Sequence, residues 1–269
     1  MKTITLAFLT SFLAISHAYS NCEYKLDATS EDLAAYSKDL GLNITMMRFP
    51  SQNGSKVGFK LTDLNSDKAF AAMSSKMAKQ VISDMKSNTV STGDHTLPTT
   101  GIAAFEFHFK VPNVLKEKGL IHIFPITFGG KLQNNKEAGF YIVYLNNPND
   151  KNKINVFIPI FGSSPDLGSD EISDLKKALP VENTLDGYQR MGFYLNQSTN
   201  QIGLIFNNKN YGYMDTLPSK LDNLFFMIPA LYSNISTSDQ NQDVSIELVT
   251  DRNKFKNTYP TGTKDICGN

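Results

Sequence analysis

Along most of the chain, apolar and polar residues recur with a period of two. Residues 101–111 read GIAAFEFHFKV. Phe105, Phe107 and Phe109 fall on one side, with Glu106, His108 and Lys110 on the other. That alternation predicts a strand with one buried face. Further strands are predicted over 119–128, 139–145, 153–161, 188–195, 201–206, 224–231 and 244–249, with weaker tendency over 44–49 and 56–61. Gly, Asn, Asp and Pro clusters separate them. Pro125, Pro159 and Pro229 interrupt three of these runs. Proline has no amide to donate, so each marks an edge or a bulge.

Helical spacing is rarer. Residues 30–41 offer Ser30 as a cap, Glu31 and Asp32 in the first turn, Leu33, Tyr36 and Leu40 on one face, and Gly41 as a stop. In 66–87, Phe70, Met73, Met77, Val81 and Met85 recur at three and four residues, with lysines off that stripe. Such a helix either packs on a sheet by its Met-rich face or lies, basic side outward, on a membrane or partner. A third helical stretch is predicted over 170–179, stopped by Pro180. Crossover helices between strands are otherwise missing, so a parallel sheet is excluded. The expectation is a mainly β chain, an antiparallel two-sheet sandwich of jelly-roll type with two or three peripheral helices. It forms one domain over 21–269.

The first residues depart from this texture. MKTITLAFLTSFLAISHAYS has a basic start, a short apolar run and small residues before two cleavage points. Residues 1–18 are predicted to be a secretory signal peptide, with cleavage after Ala18 or after Ser20. The run is too short for the roughly 20 apolar residues of a membrane span. The mature chain is therefore expected to be exported, periplasmic or secreted, with no integral membrane segment. Its cysteines, Cys22 and Cys267, stand near opposite ends. In an exported protein two cysteines pair, and a Cys22–Cys267 disulfide is expected. Lys plus Arg equals Asp plus Glu, 26 each, in 269 residues. A neutral chain gives no global steering of polyanions, so no nucleic-acid partner is expected.

Residues 188–214 read YQRMGFYLNQSTNQIGLIFNNKNYGYM. Met191, Phe193 and Leu195 alternate with Gly192 and Tyr194, and Ile202, Leu204 and Phe206 alternate with Gly203 and Ile205. Asn207-Asn208 is a tight-turn signal. This three-strand meander, with its G-x-Y-x-N, G-x-I-x-N and N-x-G spacings, resembles the concanavalin A-like sandwiches of legume-type lectins and laminin-G modules. A broader resemblance rests on Cys22 with Asp27-Ala28-Thr29, on Leu97-Pro98-Thr99-Thr100-Gly101-Ile102, on the meander, and on the tail Pro260 to Gly268. On these residues the chain is similar to the exported bacterial proteins of domain of unknown function 4882. That resemblance implies export and carries over no catalytic residue.

Catalytic and metal chemistry find little support. His95, His108 and His122 have no metal-ligand spacing, and no G-x-S-x-G elbow or Walker loop occurs. The alternating carboxylates of a glycosidase strand are missing, since Glu106 stands alone. Asp166, Asp170, Glu171 and Asp174 cluster, but in a predicted loop and helix. Asn146, Asn147, Asn149, Asp150 and Asn152 offer oxygens to a calcium ion, yet only one is a carboxylate, and turns favour the same residues. No metal, cofactor or catalytic residue is assigned. The candidate binding residues are Tyr194, Asn196, Asn208, Asn210, Tyr211 and Tyr213, aromatic and amide groups gathered on the meander. Packing of the sandwich or a protein contact would use the same residue types. The predicted function is an exported, non-enzymatic module that binds a glycan or an envelope protein. The alternative is a hydrolase of glycans or envelope on the same sandwich.

Overall fold

The computed structural model describes residues 21–39, 41, 43–62, 67–87, 93–112, 120–146, 153–157, 160–161 and 175–269. The predicted signal peptide, the acidic cluster at 166–174 and residues 147–152 of the Asn-rich loop lie outside them.

The alternating runs become strands, and the strands form two sheets. The first contains β1 (Ser51–Asn53), β2 (Lys56–Lys60), β5 (Ile102–Lys110), β11 (Tyr188–Asn196), β12 (Gln201–Phe206), β13 (Lys209–Thr216), β15 (Asp243–Val249) and β16 (Thr263–Asp265). Their order is β1-β2-β15-β5-β11-β12-β13, with β16 also paired to β5. The second contains β3 (Lys68–Met73), β4 (His95–Thr96), β6 (Leu120–Lys131), β7 (Glu137–Asn146), β8 (Lys153–Phe157), β9 (Ile160–Phe161), β10 (Leu175–Pro180) and β14 (Asn223–Ser233). Its order is β10-β8-β7-β6-β14-β3, with β4 on β14 and β9 on β7. Among these strands only β16 pairs in parallel, against the first residues of β5. The molecule is an antiparallel β-sandwich, as the alternation predicts.

Phenylalanines join the two sheets. Phe105 of β5 meets Phe128 of β6 at 4.8 Å and Phe226 of β14 at 4.9 Å. Phe128 stacks on Phe140 and contacts Phe193, each at 4.6 Å. All are fully buried. Edge-to-face and stacked pairs of this kind add to the area they bury. The predicted bulges occur at two of the three prolines. The β6–β7 register shifts between Ile123 and Ile126, around Pro125, and the β14–β6 register shifts between Met227 and Leu231, around Pro229. Pro159 lies outside the described residues.

Three local expectations are corrected. The helix expected over 66–87 is a strand, β3, followed by helix α2 (Ser75–Ser87). β3 is buried on both faces: Phe70 and Ala72 enter the main core, while Ala71 and Met73 pack beneath the helical layer with Leu33 and Ala78. Apolar residues on both faces hide a period of two. Ser74 then starts the helix, its hydroxyl accepting from Met77 N at 2.9 Å, while Asp27 accepts from Ser75 N at 2.8 Å. Met77 is buried, so this part of the Met-rich face packs inward. The stretch expected to be helical over 170–179 ends in strand β10, which pairs with β8. Helix α1 (Ser30–Asp39) forms as expected, but Thr29 is its cap. Asp32 N donates to the Thr29 hydroxyl at 3.1 Å, and Thr29 N donates back to the Asp32 carboxylate at 2.9 Å.

The Cys22–Cys267 disulfide is present, with Cα atoms 5.9 Å apart across a separation of 245 residues. Cys22, Cys267 and Asp265 form one close trio of potential metal ligands, but both sulfurs are bonded to each other. No described helix is long and apolar enough to cross a membrane.

Candidate functional site

The meander forms as predicted, with β11 pairing β12 and β12 pairing β13. Asn207 and Asn208 make the second turn at φ 47° and 65°. The six candidate residues are nonetheless divided among different jobs. Tyr194 is buried on the outer face of the first sheet, in a small cluster with Ala104 and Ile205 that Ile102, Phe255 and Tyr259 cover. Its ring lies across Gly203, where a Cβ would come within 2.0 Å of it. Its hydroxyl donates to Asn210 at 3.1 Å. Asn208 binds the C-terminal segment: its amide donates to Asn257 Oδ1 at 2.8 Å, and its own Oδ1 accepts from Thr258 N at 2.8 Å. Tyr211 instead packs against the main core, with Lys177 Nζ 4.8 Å and Lys209 Nζ 5.1 Å from its ring centre. Only Asn196 and Tyr213 form an outward-facing pair, with Asn196 donating to the Tyr213 hydroxyl at 2.9 Å. Tyr213 is 41% exposed.

The same C-terminal segment explains Glu106. The strand pattern placed this carboxylate on a solvent face; it is fully buried, as is most of β5 on both sides. Lys256 N and Asn257 N donate to it at 2.8–3.1 Å, and His108 Nε2 lies 2.5 Å away. Burial alone would raise its pKa. The His108 hydrogen bond and the two backbone amides outweigh that and hold the carboxyl below its usual range. Tyr259 crosses Gly192 and donates to Phe105 O at 3.2 Å. Residues 252–259 are thereby fastened over the outer face of the meander.

A second acidic cluster is also internally occupied. A cleft of about 220 Å³ brings together Glu23, Asp27, Asp94, His95 and Tyr24. Asp94 accepts from the Tyr24 hydroxyl at 2.6 Å and from the Ser74 hydroxyl. Burial and the Asp94 charge push the Tyr24 hydroxyl far above its ordinary pKa, so it acts as a donor. Asp27 caps α2 as described above. His95 Nε2 contacts Ile266 O at 3.0 Å.

The larger opening lies elsewhere. An open groove of about 740 Å³ forms on the side where the chain passes from the edge of one sheet to the edge of the other. Met47 bridges to Phe70 of β3, and Ser51 then begins β1. Register aligns five of the lining residues in one row across five strands: Ser51, Gly58, Ser245, Lys110 and Tyr188. Lys56, Lys60 and Asp243 flank the row, and the second sheet adds Lys68, Phe70 and Tyr232. Phe59 stacks on Tyr232 at 5.2 Å beneath the groove, both rings buried in the main core, and Tyr188 is the half-buried aromatic ring of the row. Lys56 Nζ donates to the Tyr188 hydroxyl at 2.8 Å. Burial would raise the pKa of that hydroxyl, but the hydrogen bonds with Lys56 and Ser245 and the charges of Lys56 and Lys110 outweigh it and lower it. The groove falls within the volume range of ligand sites.

The family model for DUF4882, a domain of unknown function, matches residues 1–269. The chain belongs to the DUF4882 family. No curated protein matches it in sequence. Among solved structures, this DUF4882 chain is similar to the carbohydrate recognition domain of Emp46p in its potassium-bound form, at 8% identity, covering 84% of this chain and 96% of that one, TM-score 0.43. It is similar to the exoplasmic/lumenal domain of VIP36 bound to Ca2+ and Man3GlcNAc, at 14% identity, covering 80% and 90%, TM-score 0.36. It is also similar to an alginate lyase from Pseudomonas aeruginosa, at 13% identity and TM-score 0.31, covering 57% of this chain and spanning just under two thirds, 66%, of the lyase. These likenesses are distant, and the sandwich assignment rests on the strand pairing itself.

Sequence reasoning passed over the groove residues of this DUF4882 protein. They come from 47–70, 110, 188, 232 and 243–245, and only cross-strand register unites them. The one local signal is Lys56 and Lys60 on the same side of β2.

Proposed function

We propose that this DUF4882 protein is an exported, non-enzymatic sandwich module that binds a glycan in the groove between β2, β15 and β3. The observation that carries this reading is the groove itself, open to solvent, with the half-buried Tyr188 ring among a row of hydroxyl and ammonium groups. Sugar rings present flat C–H faces and hydroxyls, which suit aromatic and polar neighbours respectively. The groove contains a single carboxylate, Asp243, so its lining favours binding over acid/base hydrolysis. Export is supported by the N-terminal apolar run and by the Cys22–Cys267 disulfide.

The meander remains a second candidate through its exposed Asn196–Tyr213 pair. A glycan panel probed with the purified protein separates the two. Saturable binding lost in Tyr188→Ala and kept in Tyr213→Ala is the expected result. The reverse pattern moves the site to the meander, and no binding to any glycan removes the reading.

A further inference from the structure

We propose that the groove takes an acidic glycan, a sugar chain carrying carboxylate or sulfate groups, with Lys68 and Lys110 as its anion contacts. This narrows the glycan-binding reading above and rests on it. The whole chain is neutral, with 26 positive and 26 negative residues. The groove is not: Lys56, Lys60, Lys68 and Lys110 line it against Asp243 alone. A neutral protein has therefore gathered positive charge on one concave surface, where field lines concentrate.

The four lysines are not equivalent. Lys56 is held by Tyr188. Lys60 reaches Asp243 at 3.9 Å, with both side chains mostly exposed. Lys68 and Lys110 have no acidic partner among the described residues and are half-buried. With no carboxylate beside them among the described residues, both ammonium groups are available to an anionic ligand. The two come from opposite sheets. Lys110 sits within the five-strand row beside Tyr188 and Ser245, and Lys68 is in register with Tyr232. A ligand meeting both must carry more than one negative group, spaced along an extended chain. The intervening Ser51 and Ser245 hydroxyls and the half-buried Tyr188 ring suit the hydroxyls and apolar faces of sugar rings. An acidic peptide or an anionic lipid surface would use the lysines and leave those groups idle.

The test is calorimetric titration of the purified protein with dextran, dextran sulfate and polygalacturonate, each at about 0.05 M and about 0.5 M salt, across which screening of exposed charge rises steeply. The expected result is binding of a charged polymer, at least about tenfold weaker at the higher salt, a factor that corresponds to about 1.4 kcal/mol. The double variant Lys68→Gln/Lys110→Gln should weaken binding about tenfold or more, with thermal unfolding unchanged. Lys60→Gln should have a smaller effect. Equal, salt-independent binding of plain dextran would overturn the acidic specificity and leave the glycan reading standing. Binding of none of the three polymers would overturn the acidic specificity, while the glycan reading falls only with a wholly negative glycan panel. Capture of polyglutamate or phosphatidylglycerol vesicles in their place would also overturn the proposal that the ligand is an acidic glycan.

Discussion

The meander and the groove are built from similar materials on the same sheet, yet they are put to opposite uses. On the meander, Tyr194, Asn208 and Asn210 are joined to one another or to residues 252–259, and Glu106 beside them receives two backbone amides and His108. In the groove, two lysines have no acidic partner among the described residues, and the Tyr188 ring lies half-buried beside an open cleft. Aromatic and amide residues close together in sequence thus report attachment of the chain to itself as readily as a ligand site. The feature that separates the two regions is polar capacity that the protein does not itself satisfy.

The comparison can be strained most severely at the chain ends. Replacing Cys22 and Cys267 by Ala releases a closure of 245 residues and should cost about 5 kcal/mol on the chain-entropy account. Denaturant unfolding measures it, and an unchanged midpoint would show that the C-terminal segment is held without the bridge. Next comes Glu106→Gln, which removes the charge from a fully buried acceptor of backbone amides. A loss of about 2 kcal/mol is expected, the range for hydrogen bonds to charged groups.

The pH dependence has a definite sign. Because the folded-state pKa of Glu106 is lowered, its contribution is complete above the unfolded carboxylate pKa of about 4.3 and disappears as pH falls through the lower folded value. Protease cleavage near 252–259 should therefore increase on acidification below about pH 4. In Glu106→Gln that segment should be loosened already at neutral pH, and cleavage there should no longer change with pH through Glu106. A disturbance of comparable size is Gly203→Ala, whose Cβ collides with the Tyr194 ring. Overpacking of this kind costs about 1–3 kcal/mol and should leave groove binding intact. The smallest effect on stability belongs to Lys68→Gln and Lys110→Gln, each within about 0.5 kcal/mol, because neither side chain has an ion-pair partner to lose among the described residues. Differential scanning calorimetry distinguishes these cases, and a large loss in either lysine variant would make the groove lysines structural.

Much of the architecture was legible because apolar runs, and the Gly, Asn, Asp and Pro residues between them, mark strand bounds. β11 and β12 form within a residue of their predicted bounds, although Tyr194 and Ile205 on the outer face are buried as well, and two of the three prolines mark register shifts. β3 was obscured because both faces are apolar, which lets Phe70 and Met73 imitate a helical stripe. Glu106 looked like the solvent side of a strand, since the covering segment lies some 150 residues away in sequence. Its one local hint was a carboxylate two residues from a histidine within a phenylalanine-rich strand. The groove was illegible for a deeper reason. Ser51, Gly58, Ser245, Lys110 and Tyr188 become neighbours only through the pairing of five strands, and register is a property of the assembled sheet.

The most direct test of the central claim is to map the ligand surface by backbone amide chemical shifts during titration with an oligogalacturonate. The account predicts that the largest changes fall at Gly58, Lys110, Tyr188 and Ser245, with Asn196 and Tyr213 unmoved. Changes concentrated at Asn196 and Tyr213, with the groove row silent, would contradict it.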